Sequence, residues 1–153
     1  MVALRAHAWC YILNAEVSAA PPETSTRAGR RVLVGSKMPV VFIVSDEWDL
    51  RGAVRAELRE AGVDALGLET TEDLARTIAG GIAPALVVLD GAQLHNAEMR
   101  QALQNLTSRV PLLVVDSRLN PGPPLPGAQV ILRPVQVKEI VARVLAMLSS
   151  AAP

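Results

Sequence analysis

The sequence predicts an α/β domain: a parallel β-sheet with helices on both faces. Three observations predict it. Short, continuous apolar runs recur, most plainly Val40–Val44 and Ala85–Leu89, and such runs suit strands covered on both sides. Between them lie segments with apolar residues at helical spacing. Strands and helices alternate, which calls for crossover connections and a parallel sheet. With 153 residues, half of them hydrophobic and a fifth charged, the chain is long enough for one domain with a full core.

Residues 1–37 differ from the rest. Pro21-Pro22-Glu23-Thr24-Ser25-Thr26 is polar and turn-like, and basic residues follow it. Arg31–Gly35 has a short strand-like run with no helical pattern around it. We expect a disordered or weakly structured extension over 1–37, a domain over 38–150 and a tail over 151–153. The working protein is expected to start at Met38; an intact mass of the native protein equal to the full chain would sink that expectation.

From Pro39 the elements follow in order. Val40–Val44 is β-branched apart from Phe42, as a doubly covered strand should be. Asp46 or a neighbour can cap the next helix, in which Leu50, Val54 and Leu58 recur every four residues and which Gly62 ends. Ala65–Leu68 is a weaker strand, expected at an edge. Thr70 and Thr71 are cap candidates for a helix with Leu74 and Ile78 inward, and Gly80-Gly81 stops it. Ala85–Leu89 is the third strand. Asn96–Leu106 is the third helix, with Met99, Leu103 and Leu106 inward. Pro111–Val115 and Val130–Leu132 are the fourth and fifth strands. The last helix carries Val137, Ile140, Val141, Val144 and Leu148 on one stripe. Between the last two strands, Asn120–Gly127 holds four prolines. That density forbids a regular helix and predicts a stiff, extended loop.

Charge and composition exclude several classes. The formal net charge is zero. Arg5, Arg27, Arg30, Arg31 and Lys37 against Glu16 and Glu23 give residues 1–37 a net +3 and leave the remainder at −3. A mildly acidic domain offers no footprint for nucleic acid. Cys10 is the only cysteine, so neither a disulfide framework nor a cysteine-based zinc site is expected. No apolar run approaches the roughly 18 residues that span a bilayer. Ala8–Leu13 is apolar and Ala19-Ala20 could mimic a cleavage site, but Asn14 and Glu16 interrupt the stretch; a cytoplasmic protein is expected.

Two acids stand where chemistry is expected. Asp90 ends the third apolar run, and Ser45-Asp46-Glu47 ends the first. In a parallel sheet both positions fall at the carboxyl edge, where open α/β sheets hold ligands. The pairing suggests a site for a divalent cation and a phosphoryl group.

With these residues in place, the chain over Met38–Ser150 resembles a response-regulator receiver domain. The matching segments are Val41–Glu47, Pro84–Asp90, Pro111–Val115 and Leu132-Arg133-Pro134, and it is their order and spacing that carry the likeness. The resemblance implies a flavodoxin-like sheet of order 2-1-3-4-5. It also implies Asp90 as phosphoacceptor, with Asp46, Asp90 and the carbonyl of Ala92 as ligands of Mg²⁺. A carboxylate is a poor nucleophile and needs a hard cation to spread the charge that develops. The plainer reading of Asp90 is a polar strand end or helix cap, and of Asp46 an N-cap.

The sequence also departs from that pattern. Ser45 stands where the family has the first acid of a pair, although Asp46 and Glu47 keep acidity nearby. Asp116 falls where a Thr or Ser would meet the phosphoryl oxygen, and an anion there repels it; Ser117 points elsewhere if the strand is regular. Arg133 replaces the usual lysine, keeping the charge on a bulkier planar fork. An Arg133–Asp116 salt bridge is expected to stand in for phosphoryl contacts, with an Arg133–Asp90 pair as the alternative. His95 reads as a surface residue, and Trp48 as a partner contact or a cover over the site mouth.

The expectation is therefore a stand-alone pseudo-receiver in two-component, phosphorelay-type signalling, acting as a protein-interaction module with impaired or absent Asp phosphorylation. Its partner would be a histidine kinase or another signalling protein, with no nucleic acid and no membrane; a homodimer stays open. The competing reading is a working receiver using Asp90 and Mg²⁺. A third is a flavodoxin-like cofactor- or nucleotide-binding protein, which a visible absorbance band would favour. No catalytic dyad or triad has convincing spacing, so independent enzymatic turnover is not expected.

Overall fold

The computed structural model describes residues 38–151. The expectations for residues 1–37 lie outside the described residues. Five strands, β1 (Val40–Val44), β2 (Asp64–Leu68), β3 (Leu86–Asp90), β4 (Leu112–Ser117) and β5 (Gln129–Arg133), alternate with four helices, α1 (Trp48–Glu60), α2 (Thr71–Ala79), α3 (Ala97–Thr107) and α4 (Val137–Ala151). The strands form one parallel sheet in the order β2-β1-β3-β4-β5. This is the predicted sheet. The boundaries move slightly: β3 includes Asp90, β4 runs on through Asp116 to Ser117, and α4 extends to Ala151.

Alternation of side chains divides the core into two layers. Phe42, Val44, Val87, Leu89, Leu112 and Val114 face α2 and α3, meeting Leu74, Ala75, Leu103 and Leu106. Val41, Ile43, Leu86, Val88, Leu113 and Val115 face α1 and α4, meeting Val54, Leu58, Ile140 and Val144. All five residues of β3 are buried, as the central strand of a doubly covered sheet must be.

The helix termini follow local chemistry. Thr70 caps α2 in a reciprocal capping box with Asp73, satisfying two otherwise unpaired donors. Asn96 caps α3 through Oδ1. A short 3₁₀ turn, Gly91–His95, precedes it and is capped by Asp90. At α1 the capping position is Glu47 rather than Asp46, and its amide donates to Ser45 Oγ at 3.1 Å. Gly62, just past that helix, has φ of 79°, a conformation that costs glycine nothing.

The proline-rich loop connects β4 to β5 without a helix, as the prolines require. It does not float. Leu125 is 5% exposed and joins the α2–α3 layer. Thr107 Oγ1 donates to the carbonyl of Pro126 at 3.2 Å. The backbone amide of Gly122 donates to the Asp116 carboxylate at 3.0 and 3.2 Å. A loop occupies less width than a helix, so β5 keeps a partly bare face: Val130 is 53% and Leu132 40% exposed.

Candidate functional site

Parity places the site. Ser45, Asp90 and Arg133 follow Ile43, Val88 and Ile131 at intervals of two, and those residues face the α1–α4 layer. The three polar side chains therefore emerge on one face at the carboxyl edge of β1, β3 and β5. Asp116 follows Val114, which faces the opposite layer.

Asp90 is held on both oxygens. Its Oδ2 accepts from Ser45 Oγ at 2.9 Å and from Arg133 Nη2 at 3.0 Å. Its Oδ1 accepts from the amide of Ala92 at 3.1 Å. The residue is 6% exposed and Ser45 only 1%. Both acceptor directions of Oδ2 are thus filled, and one remains on Oδ1. Arg133 also reaches Glu47 Oε1 through Nη1 at 2.7 Å, so one guanidinium bridges two carboxylates. Its fork provides one terminal nitrogen for each acid, which a lysine ammonium could not match in plane. Burial works against the charge on Arg133, but the Glu47 hydrogen bond and the fields of Asp90 and Glu47 outweigh it and hold its pKa above the ordinary value. Raised in the folded state, that group stabilises the fold at every pH below its unfolded pKa and loses the contribution only as pH climbs through the folded one. The bridge is therefore complete throughout neutral pH on the arginine side.

The expected Arg133–Asp116 salt bridge is not formed. The two side chains leave their strands on opposite faces, because β4 continues regularly through Asp116. Asp116 instead turns toward the loop, accepting from the amides of Ser117 at 2.8 Å and Gly122. Gly91 makes room for it: a Cβ there would collide with Asp116 Oδ1. Asp46 is exposed and does not line the cavity, whereas Glu47 does.

The cavity over Asp90 measures about 270 Å³ and is lined by Glu47, Asp90, Gly91, Ala92, His95, Asp116, Ser117, Asn120 and Arg133. Ser117 and Asp116 both border it; Ser117 follows Val115 at an interval of two, onto the Asp90 face, so the expectation that it points elsewhere fails because the strand is regular. Gly91, His95 and Asn120 were missed as lining residues; His95 ends the short 3₁₀ segment that follows Asp90, a short-range signal that the sequence did carry.

The resemblance implies Mg²⁺, and the donor set does not fit it. A resident Mg²⁺ requires oxygen ligands in near-octahedral array. Here Ser45 replaces a carboxylate, Asp46 is exposed, and one oxygen of Asp90 is already taken by the guanidinium and the Ser45 hydroxyl. Among the described residues no three acid, imidazole or thiol side chains converge as a metal-holding group.

Among solved structures, the chain is similar to a response regulator receiver protein from Sinorhizobium medicae, with 14% identity, a TM-score of 0.60, and coverage of 74% of this chain and 97% of that one. A CheY-like receiver domain protein from Methanospirillum hungatei aligns at 15% identity and TM-score 0.61, covering 73% and 95%. This chain has the receiver-domain fold. The receiver domain of the hybrid histidine kinase CckA aligns likewise, at 19% identity and TM-score 0.55, covering 71% and 98%. No family model matches the chain, and no curated protein matches it in sequence. Among the described residues no helix is long and apolar enough to cross a membrane.

Proposed function

We propose that this receiver-fold chain is a protein-interaction module of phosphorelay-type signalling, cytoplasmic, in which Asp90 is not phosphorylated or only poorly so. The observation that carries this reading is the occupation of Asp90 by Arg133, Ser45 and the Ala92 amide. A nucleophilic carboxylate needs a lone pair aimed at an in-line donor and a cation to take up the phosphoryl charge. Oδ2 is fully committed, and the carboxylate of Asp116 borders the cavity in which a phosphoryl group carrying about −1.5 to −2 charge would sit. Binding would then pass the signal, with a histidine kinase or another signalling protein as partner. The cofactor reading is weaker: about 270 Å³ falls below the roughly 300–1,000 Å³ usual for ligand pockets, and the segment after β1 is acidic where a phosphate would need donors.

The test is treatment of the full chain with a small phosphodonor and Mg²⁺, read by intact mass. We expect no gain from folded protein. A gain of one phosphoryl group that disappears in Asp90→Ala would make the chain a working receiver and overturn the proposal. Asp116→Thr should raise any residual labelling, because it removes the facing anion.

A further inference from the structure

We propose that the Arg133 guanidinium is the resident cation of this site, built into the chain in the place of a divalent metal, so that the site does not respond to divalent ions. The inference rests on the pseudo-receiver reading above and goes further, because it says what balances the acids. Glu47 and Asp90 come from different elements, and both border one cavity. Two carboxylates held this close repel unless a positive charge lies between them. Arg133 supplies it: Nη1 meets Glu47 at 2.7 Å and Nη2 meets Asp90 at 3.0 Å, the bridging arrangement that a metal ion would otherwise make. A metal coming to Asp90 would have to displace the guanidinium, and its full positive charge, from contact with both acids. Unlike an ion, the side chain cannot dissociate, and it stays protonated throughout neutral pH.

It follows that Arg133 is what keeps metal out. Replacing it by a neutral side chain leaves Asp90, Glu47 and the hydroxyl oxygen of Ser45 around one unbalanced point, an all-oxygen set of the kind hard cations take. Manganese(II) alone is a suitable probe, because the electron paramagnetic resonance signal of the free ion reports binding without reference to any activity. The full-length chain would be titrated as wild type, Arg133→Met, Arg133→Ala and Arg133→Met/Asp90→Asn, each checked for folding by circular dichroism. We expect wild type to leave manganese free up to millimolar concentrations. Arg133→Met should bind one ion at least about tenfold more tightly than wild type, the direction set by removing a full positive charge from contact, and Asp90→Asn should abolish the gain. Methionine keeps the bulk of the arginine stem; if it perturbs the fold, Arg133→Ala gives the same reading.

Two results would overturn the inference. One is wild type binding a single manganese as tightly as Arg133→Met, with loss in Asp90→Asn. The other is folded Arg133→Met and Arg133→Ala both failing to bind. The phosphodonor experiment fails separately: a phosphorylated wild type that leaves manganese free removes the pseudo-receiver reading and leaves this one standing, and an unphosphorylated wild type that binds manganese does the reverse.

Discussion

Asp90 is a buried acid whose charge is balanced by a neighbour that is itself only 31% exposed. Removing Arg133 leaves Asp90 with two neutral donors and a second acid beside it. Fully buried pairs cost about 3–5 kcal/mol when one partner is removed; Arg133 and Glu47 retain contact with water, so we expect roughly 1–3 kcal/mol for Arg133→Ala in urea unfolding. Ser45→Ala removes both a donor to Asp90 and the acceptor for the Glu47 amide, and should cost about 1–2 kcal/mol on the same measurement. Ser45, Glu47, Asp90 and Arg133 could be singled out in the sequence, but one partnership could not. Arg133, Asp90 and Asp116 all read as strand-end residues, and the choice of acid depends on where β4 ends. One regular step further, through Asp116 to Ser117, sends the Asp116 carboxylate to the other face. Single-residue strand boundaries are not encoded in periodicity, since the pleat changes face at every residue.

The proline-rich loop is an element in its own right. Leu125 is its core anchor, and Leu125→Ala should lower stability by about 2–4 kcal/mol in the same unfolding assay, as for other large-to-small core changes. Gly91→Ala acts at the other anchor. The new methyl would collide with the Asp116 carboxylate and push it off the Gly122 amide. Hydrogen exchange should then show faster exchange at Gly122, with the amides of β3 and β4 still protected; unchanged protection at Gly122 would mean the clamp is not what holds the loop. Proline density alone excluded a helix here. The return of Leu125 to the core could not be read, because one apolar residue among prolines has no period to place it.

At the scale of the whole molecule, the alternation of apolar runs and helical stripes specified the architecture, since parallel neighbours joined by crossovers leave few arrangements open. The described residues supply a core layer on each face of the sheet, and the periodic pattern of the sequence begins at Met38. We therefore expect a chain beginning at Met38 to melt within about 4 °C of the full one, the shift that roughly 1 kcal/mol produces in a domain of this size; a larger drop in a thermal scan would show that residues 1–37 contribute to the fold. The sheet is less evenly covered than its sequence suggested. Val130 and Leu132 alternate like buried strand residues, but what covers them depends on the width of the connection beside them, which composition does not give.

Pinned by Asp116 near one end and by Leu125 and Pro126 near the other, the loop is ordered before any partner arrives. A protein docking beside the cavity would meet a surface with little conformational entropy left to lose. Association there would be governed by encounter and orientation rather than by rearrangement, and differences between partners would show chiefly in how long each stays bound.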